Sequence, residues 1–244
     1  MPKPLFVDYA RMSAVIYYDQ VSRCAGGFAR TSFRKGSNGF QGGIFVRPNE
    51  NGGLDYIVSY AGTQPGDDRG ADVLTDAGFG GRLTSSVSVA LSVMGGPFGA
   101  VLGGILGRGP AALESQLADA KRLLITAQTA AGGRAGSRLF RTGPSLGGGL
   151  AQIVGARRGV PAVGISAPGV PAVPGVTAEY ARNRPGIVCL KILNDPINET
   201  ERVGDRLGAT WLLNSPRTGG AAHSIDQTVA ELRPGGRFAS IGAI

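Results

Sequence analysis

The stretch Arg141-Thr142-Gly143-Pro144-Ser145-Leu146-Gly147-Gly148-Gly149-Leu150-Ala151 constrains this chain more than any other. It contains Gly143-Pro144-Ser145-Leu146-Gly147, a G-x-S-x-G pentapeptide. Such a pentapeptide suits a serine placed on a sharp turn between a strand and a helix, its hydroxyl lifted clear of the backbone. Glycine is needed at Gly143 and Gly147 because side chains there would collide across the turn. The chain has 41 glycines in 244 residues, so chance alone can produce the pattern and context must decide. Arg138 to Thr142 reads as a short strand before the serine. Leu146 to Ala156 reads as a helix of small residues behind it. The N-terminus of that helix faces any negative charge that gathers beside Ser145.

A serine hydroxyl is a weak nucleophile until a base takes its proton. The chain has a single histidine, His223, and it follows Ser145 in sequence. An imidazole base needs a carboxylate to hold its tautomer and orientation. Asp195 is the leading candidate because it follows the apolar run Ile187 to Leu193, and functional groups gather at the carboxyl ends of parallel strands. Glu199, Glu201 and Asp205 are its competitors. Charge on a tetrahedral intermediate calls for two converging donors. The backbone N–H of Leu146 is one, and the N–H of Thr63, in the loop Gly62-Thr63-Gln64, is expected to be the other.

The rest of the chain alternates helix and strand. Tyr9, Met12, Ile16 and Tyr17 form one apolar stripe on a helix expected over Asp8 to Asp19. Gly43–Val46 and Leu54–Ala61 flank a turn cluster and read as an antiparallel pair. Leu113, Leu117, Ala120, Leu124, Ala127 and Ala131 step by three or four along a helix that Gly132-Gly133 ends. Strands are expected at 161–166 and 187–193, a helix within 172–183, and another after His223. This order predicts an α/β fold in one domain, with a mostly parallel central sheet and helices on both faces.

With these residues in place, the chain resembles the class 3 lipases and their bacterial relatives, which are α/β-hydrolases. Tyr60-Ala61-Gly62-Thr63 is similar to the family's oxyanion strand end, and Thr142 to Ala151 is similar to its nucleophile phrase. Asn194-Asp195-Pro196-Ile197 is similar to its acid phrase, and His223 to its late histidine. The resemblance implies a Ser–Asp–His hydrolase acting on lipid esters through an acyl-enzyme. Two alternatives stay open: a catalytically silent protein that binds a membrane or partner, and an acyltransferase using the same three residues. Pro144 stands where the family usually has histidine, and Ala61 where it usually has arginine. Arg141 puts a charge in a normally apolar strand, where it is expected to snorkel or pair.

The net charge is +8, almost all of it from arginine. No basic run interleaved with aromatics is present, so nucleic acid is not the expected partner. Cys24 and Cys189 make no disulfide framework and are expected to be buried apolar residues. No cofactor is expected. Asp67, Asp68, Asp72 and Asp76 lack calcium-loop spacing, so no metal is expected there. The N-terminal segment has no apolar core of signal-peptide length, which favours a cytoplasmic location or a signal-independent route. Residues 83–107 carry no charge, and Gly95, Gly99, Gly103 and Gly107 recur every fourth position. Within an insertion at about 83–110, they are expected to form an apolar lid or membrane-surface element. Deleting residues 86–105 should lower turnover of lipid aggregates more than that of a soluble ester. Equal loss on both substrates would count against a lid.

Overall fold

A computed structural model describes residues 3–21, 23–62, 110–170, 173–195, 197–198 and 206–242. Residues 83–107, the acidic cluster and Thr63 lie outside the described residues, as do Glu199, Glu201 and Asp205. Seven strands form one sheet in sequential order: β1 (Ala29–Lys35), β2 (Gln41–Pro48), β3 (Leu54–Tyr60), β4 (Arg138–Pro144), β5 (Ala162–Ile165), β6 (Ile187–Ile192) and β7 (Ala209–Leu213). β1, β2 and β3 pair antiparallel, and every pairing from β3 to β7 is parallel. The described helices are α1 (Phe6–Val15), α2 (Pro110–Gly132), α3 (Ser145–Arg158), α4 (Val176–Asn183), α5 (Gly219–His223) and α6 (Ile225–Leu232).

Sequential order settles which face each helix covers. Parallel crossovers are right-handed, so strands added in one direction send all their connecting helices to the same face. α2, α3 and α4 accordingly share one apolar cluster with Val58, Tyr60 and Ile187. The opposite face is closed by the first and last helices, α1 and α6, which pack on each other over Ile57, Val163, Leu190 and Ile192. The strands alternate between the two clusters: Ile187 and Cys189 of β6 face α3, while Val188, Leu190 and Ile192 face α1. Burial on both faces is why β6 reads as an unbroken apolar run.

α3 is buried along almost its whole length, from Ser145 to Ala156. Its small residues let it lie close against the sheet, and Gly159, at φ +63°, ends it with a left-handed cap. α1 is tied to β4 by Ser13 Oγ and Thr142 Oγ1 at 3.1 Å, and by the rings of Tyr9 and Phe140 meeting edge to face at 6.0 Å.

Part of the arginine excess is spent inside. Arg138 donates to both carboxylate oxygens of Asp55, at 2.7 and 3.0 Å, where the sheet begins. Arg47 donates to Asp55 at 3.5 Å and to Asp8 at 3.3 Å, joining α1 to the same cluster. Arg141 behaves differently from the sequence expectation. It neither reaches solvent nor pairs: it is 0% exposed, and its Nε and Nη1 have no partner among the described residues. Its Nη2 makes one long bond to the Pro161 carbonyl, 3.4 Å away. Alternation in β4 fixes this outcome, because Phe140 and Thr142 point at α1 and Arg141 must point into the α3 interface. A methyl on Gly155 would lie 2.6 Å from Arg141 Nη2, so that glycine is the space the guanidinium occupies. Burial pushes the Arg141 pKa down to about 10, so the group still carries its charge at neutral pH.

A buried, unpaired cation opposes folding. Arg141→Met, of similar reach and no charge, should raise the thermal midpoint, with a gain of about 1–4 kcal/mol in chemical denaturation. An unchanged or lowered midpoint would mean that the guanidinium has a stabilising partner.

Candidate active site

Ser145 is the first residue of α3, directly after β4, and has φ +50°. A left-handed conformation at a non-glycine residue stores strain of order 1–3 kcal/mol. Here it turns the chain from strand into helix within one residue. The packing around the turn explains its glycines. A Cβ on Gly143 would sit 2.6 Å from the Tyr60 carbonyl oxygen, and one on Gly147 would sit 2.7 Å from that of Ala61. Gly143 also faces the backbone of Gly147 across the turn, so both positions are glycine because the turn and the end of β3 crowd them, not because they need positive φ. Leu146 is the second residue of α3, in the first turn, where a helix leaves its N–H groups without intrahelical acceptors.

Asp195 lies just past the end of β6 and is 3% exposed. The Ile197 N–H donates to its Oδ1 at 2.9 Å, and the Asp195 carbonyl accepts from the Asn198 N–H at 3.0 Å, so the turn holds the carboxylate in place. His223 closes α5 and is also buried. Its Nδ1 lies 2.9 Å from Oδ1 and 3.0 Å from Oδ2 of Asp195. An ionised carboxylate only accepts, so this contact assigns the proton to Nδ1 and leaves Nε2 as the basic nitrogen. Ser145 and Asp195 follow β4 and β6, with β5 between them, a gap of about 10 Å at ordinary strand spacing.

One contact was not legible in the sequence. Tyr17 reads there as a member of the apolar stripe of α1. In the structure α1 ends at Val15, and the Tyr17 hydroxyl oxygen accepts the Gly62 N–H at 2.9 Å. A methyl on Gly62 would be 2.8 Å from that oxygen, 3.2 Å from Ser145 Cβ and 3.1 Å from the Pro144 carbonyl. Burial holds the Tyr17 phenol well above its ordinary pKa, and the nearby Asp226 carboxylate raises it further against the opposing Gly62 N–H.

Ser166, past the end of β5, is a second buried serine with positive φ, +47°, and its hydroxyl has no partner among the described residues. Cys189 is buried and its thiol is pushed up to about 12, which leaves it inert, while Cys24 is half-buried. Among the described residues no cluster of three or more His, Cys, Asp or Glu could hold a metal. Among them, too, no helix is long and apolar enough to cross a membrane.

No family model and no curated protein matches the sequence. Among solved structures the chain is similar to lipase II from Rhizopus niveus, with a TM-score of 0.53 and 12% identity over 97% of this chain and 91% of that one. A lipase from Rhizopus microsporus var. chinensis gives a TM-score of 0.49 and 16% identity, covering 86% of this chain and 74% of that one. The triacylglycerol lipase from Penicillium expansum gives 0.46 and 13%, covering 84% and 76%. The fold is that of the α/β-hydrolases.

The contact of Gly147 with the end of β3 has a direct test. Gly147→Ala must push the Tyr60 and Ala61 carbonyls aside or unwind the turn, and should cost at least about 2 kcal/mol in chemical denaturation. Gly132→Ala, where an added methyl meets nothing within 4 Å, should be close to neutral. Equal stability of the two variants would show that the turn is not crowded.

Proposed function

We propose that the chain is a serine-dependent carboxylic ester hydrolase acting on lipid esters. The observation that carries this reading is the buried pair His223–Asp195, in which the sole imidazole of the chain has its Nδ1 committed to the carboxylate. A histidine oriented in this way presents Nε2 as the nitrogen that can take and return a proton. Ser145, on its strained turn, is the group whose proton it would take.

In this mechanism Ser145 Oγ attacks the carbonyl carbon of the ester while His223 Nε2 accepts the hydroxyl proton. Asp195 holds the ring and stabilises the imidazolium without taking the proton itself. Negative charge passes to the acyl oxygen, where the Leu146 N–H is a donor, and Thr63 remains our candidate for the second. Collapse expels the alcohol, which receives the proton from His223. Water then repeats the sequence on the acyl-enzyme and regenerates Ser145. The lipid part of the proposal is supported by the motif resemblance to class 3 lipases, and the fold likeness to the Rhizopus niveus lipase is consistent with it.

A fluorophosphonate probe should label Ser145, located by peptide mass, and Ser145→Ala should abolish both labelling and turnover of p-nitrophenyl esters. Asp195→Asn should lower kcat by about 10⁴-fold, because the wrong tautomer is then favoured. A folded chain that neither takes the probe nor hydrolyses a panel of soluble and lipid esters would establish a silent fold. Transfer of acyl groups to an added alcohol in preference to water would identify an acyltransferase.

A further inference from the structure

We propose that Tyr17 is a catalytic hydrogen-bond donor of this site, giving its phenolic O–H to the acyl oxygen as negative charge develops there; the inference rests on the serine-hydrolase reading above. Three observations support it. The phenol oxygen accepts the Gly62 N–H at 2.9 Å, which fixes the oxygen and spends that N–H. In that bond the phenol is the acceptor, so it does not use the phenol's own proton. The phenol and the nucleophile pack against the same glycine: the point a Gly62 Cβ would occupy is 2.8 Å from Tyr17 Oη and 3.2 Å from Ser145 Cβ, so the two side chains are close neighbours. Gly62 has no unusual φ, so the crowding around it, which leaves no room for a Cβ, is the reason for a glycine there.

The phenol is also held in position from behind. The buried Gln41 side chain donates to the carbonyl of Ile16, the residue before Tyr17, at 2.6 Å. The carbonyl of the same Gln41 accepts the N–H of Ala61, the residue before Gly62, at 2.9 Å. One residue of β2 therefore fixes the chain on both sides of the Tyr17–Gly62 bond. A donor immobilised before the reaction stabilises charge without reorganising when it appears. Burial and the Asp226 carboxylate keep the phenol protonated, so it remains a donor through neutral and mildly alkaline pH.

Tyr17→Phe removes the donor and keeps the ring. With a soluble p-nitrophenyl ester, kcat should fall between about 10-fold and 100-fold while KM stays within about twofold, the signature of an interaction made in the transition state. Affinity for an alkyl boronic acid, whose tetrahedral adduct with Ser145 carries the charge, should fall by the same factor. Placing 4-aminophenylalanine at position 17 restores an N–H donor and should recover most of both losses. If the phenylalanine variant is too unstable to assay, this amino variant decides alone: boronate affinity near that of the parent supports the donor, and a loss beyond tenfold overturns it. Turnover by Tyr17→Phe within about twofold of the parent overturns the proposal, as does a fall in kcat with boronate affinity unchanged. Either result, in a parent protein that takes the fluorophosphonate at Ser145, leaves the hydrolase reading standing. A parent that takes no probe and turns over no ester removes both.

Discussion

The pressure of the β3 end on the turn after β4 sets the geometry of the candidate site. The carbonyl oxygens of Tyr60 and Ala61 stand where Cβ atoms of Gly143 and Gly147 would be. Because those positions are bare, α3 can start one residue after the strand, and Ser145 is driven to φ +50°. The same approach brings Gly62, next along from Ala61, against the serine. A single close backbone contact therefore accompanies the strain at Ser145 and brings Gly62 to its side. Strain of this kind persists only when the surroundings over-determine it. Here they do: β4 is paired on both edges, and α3 is buried from Ser145 to Ala156.

Sequential strand order carries a second consequence. With the crossover helices all on one face, the other face depends on the two ends of the chain. α1 and α6 cover it together, and each also bears on the site, since α6 follows His223 by two residues and α1 leads into Tyr17. Packing of the terminal helices and placement of two candidate site residues are thus one structural event. Loosening α1 would uncover Ile57 and Val163 and at the same time withdraw the phenol from Gly62.

The elements that place the site were the legible ones. β4, α3 and β6 announce themselves because each is buried on both sides, and burial leaves a strong apolar or small-residue signature. The edge strands β1 and β7 were missed for the opposite reason. β1, Ala-Arg-Thr-Ser-Phe-Arg-Lys, carries the charge of an edge that must resist pairing. β7 is exposed at four of its five positions and has too little periodicity to separate it from a loop. The pairing of Asp195 with His223 could be guessed from chain order and a strand-end rule, because the chain has no second histidine to compete. Tyr17 could not. Tyrosine on an apolar stripe is ordinarily core, and nothing local shows that its hydroxyl meets a glycine 45 residues away.

Arg141 shows the same limit from the other side. A charge in a strand interior suggests a partner or an escape to solvent, and the pleat denies it both. Phe140 and Thr142 are already committed to α1, through Tyr9 and Ser13, so the strand cannot slip its register by one residue to release the arginine. A slip would also carry Gly143 away from the Tyr60 carbonyl and put Pro144 or Thr142 in its place. The fold keeps a costly buried cation because the register that buries it is the one that sets Ser145 on its turn. The local rule about charges in strands gives way to a tertiary contact two residues further on, at Gly143.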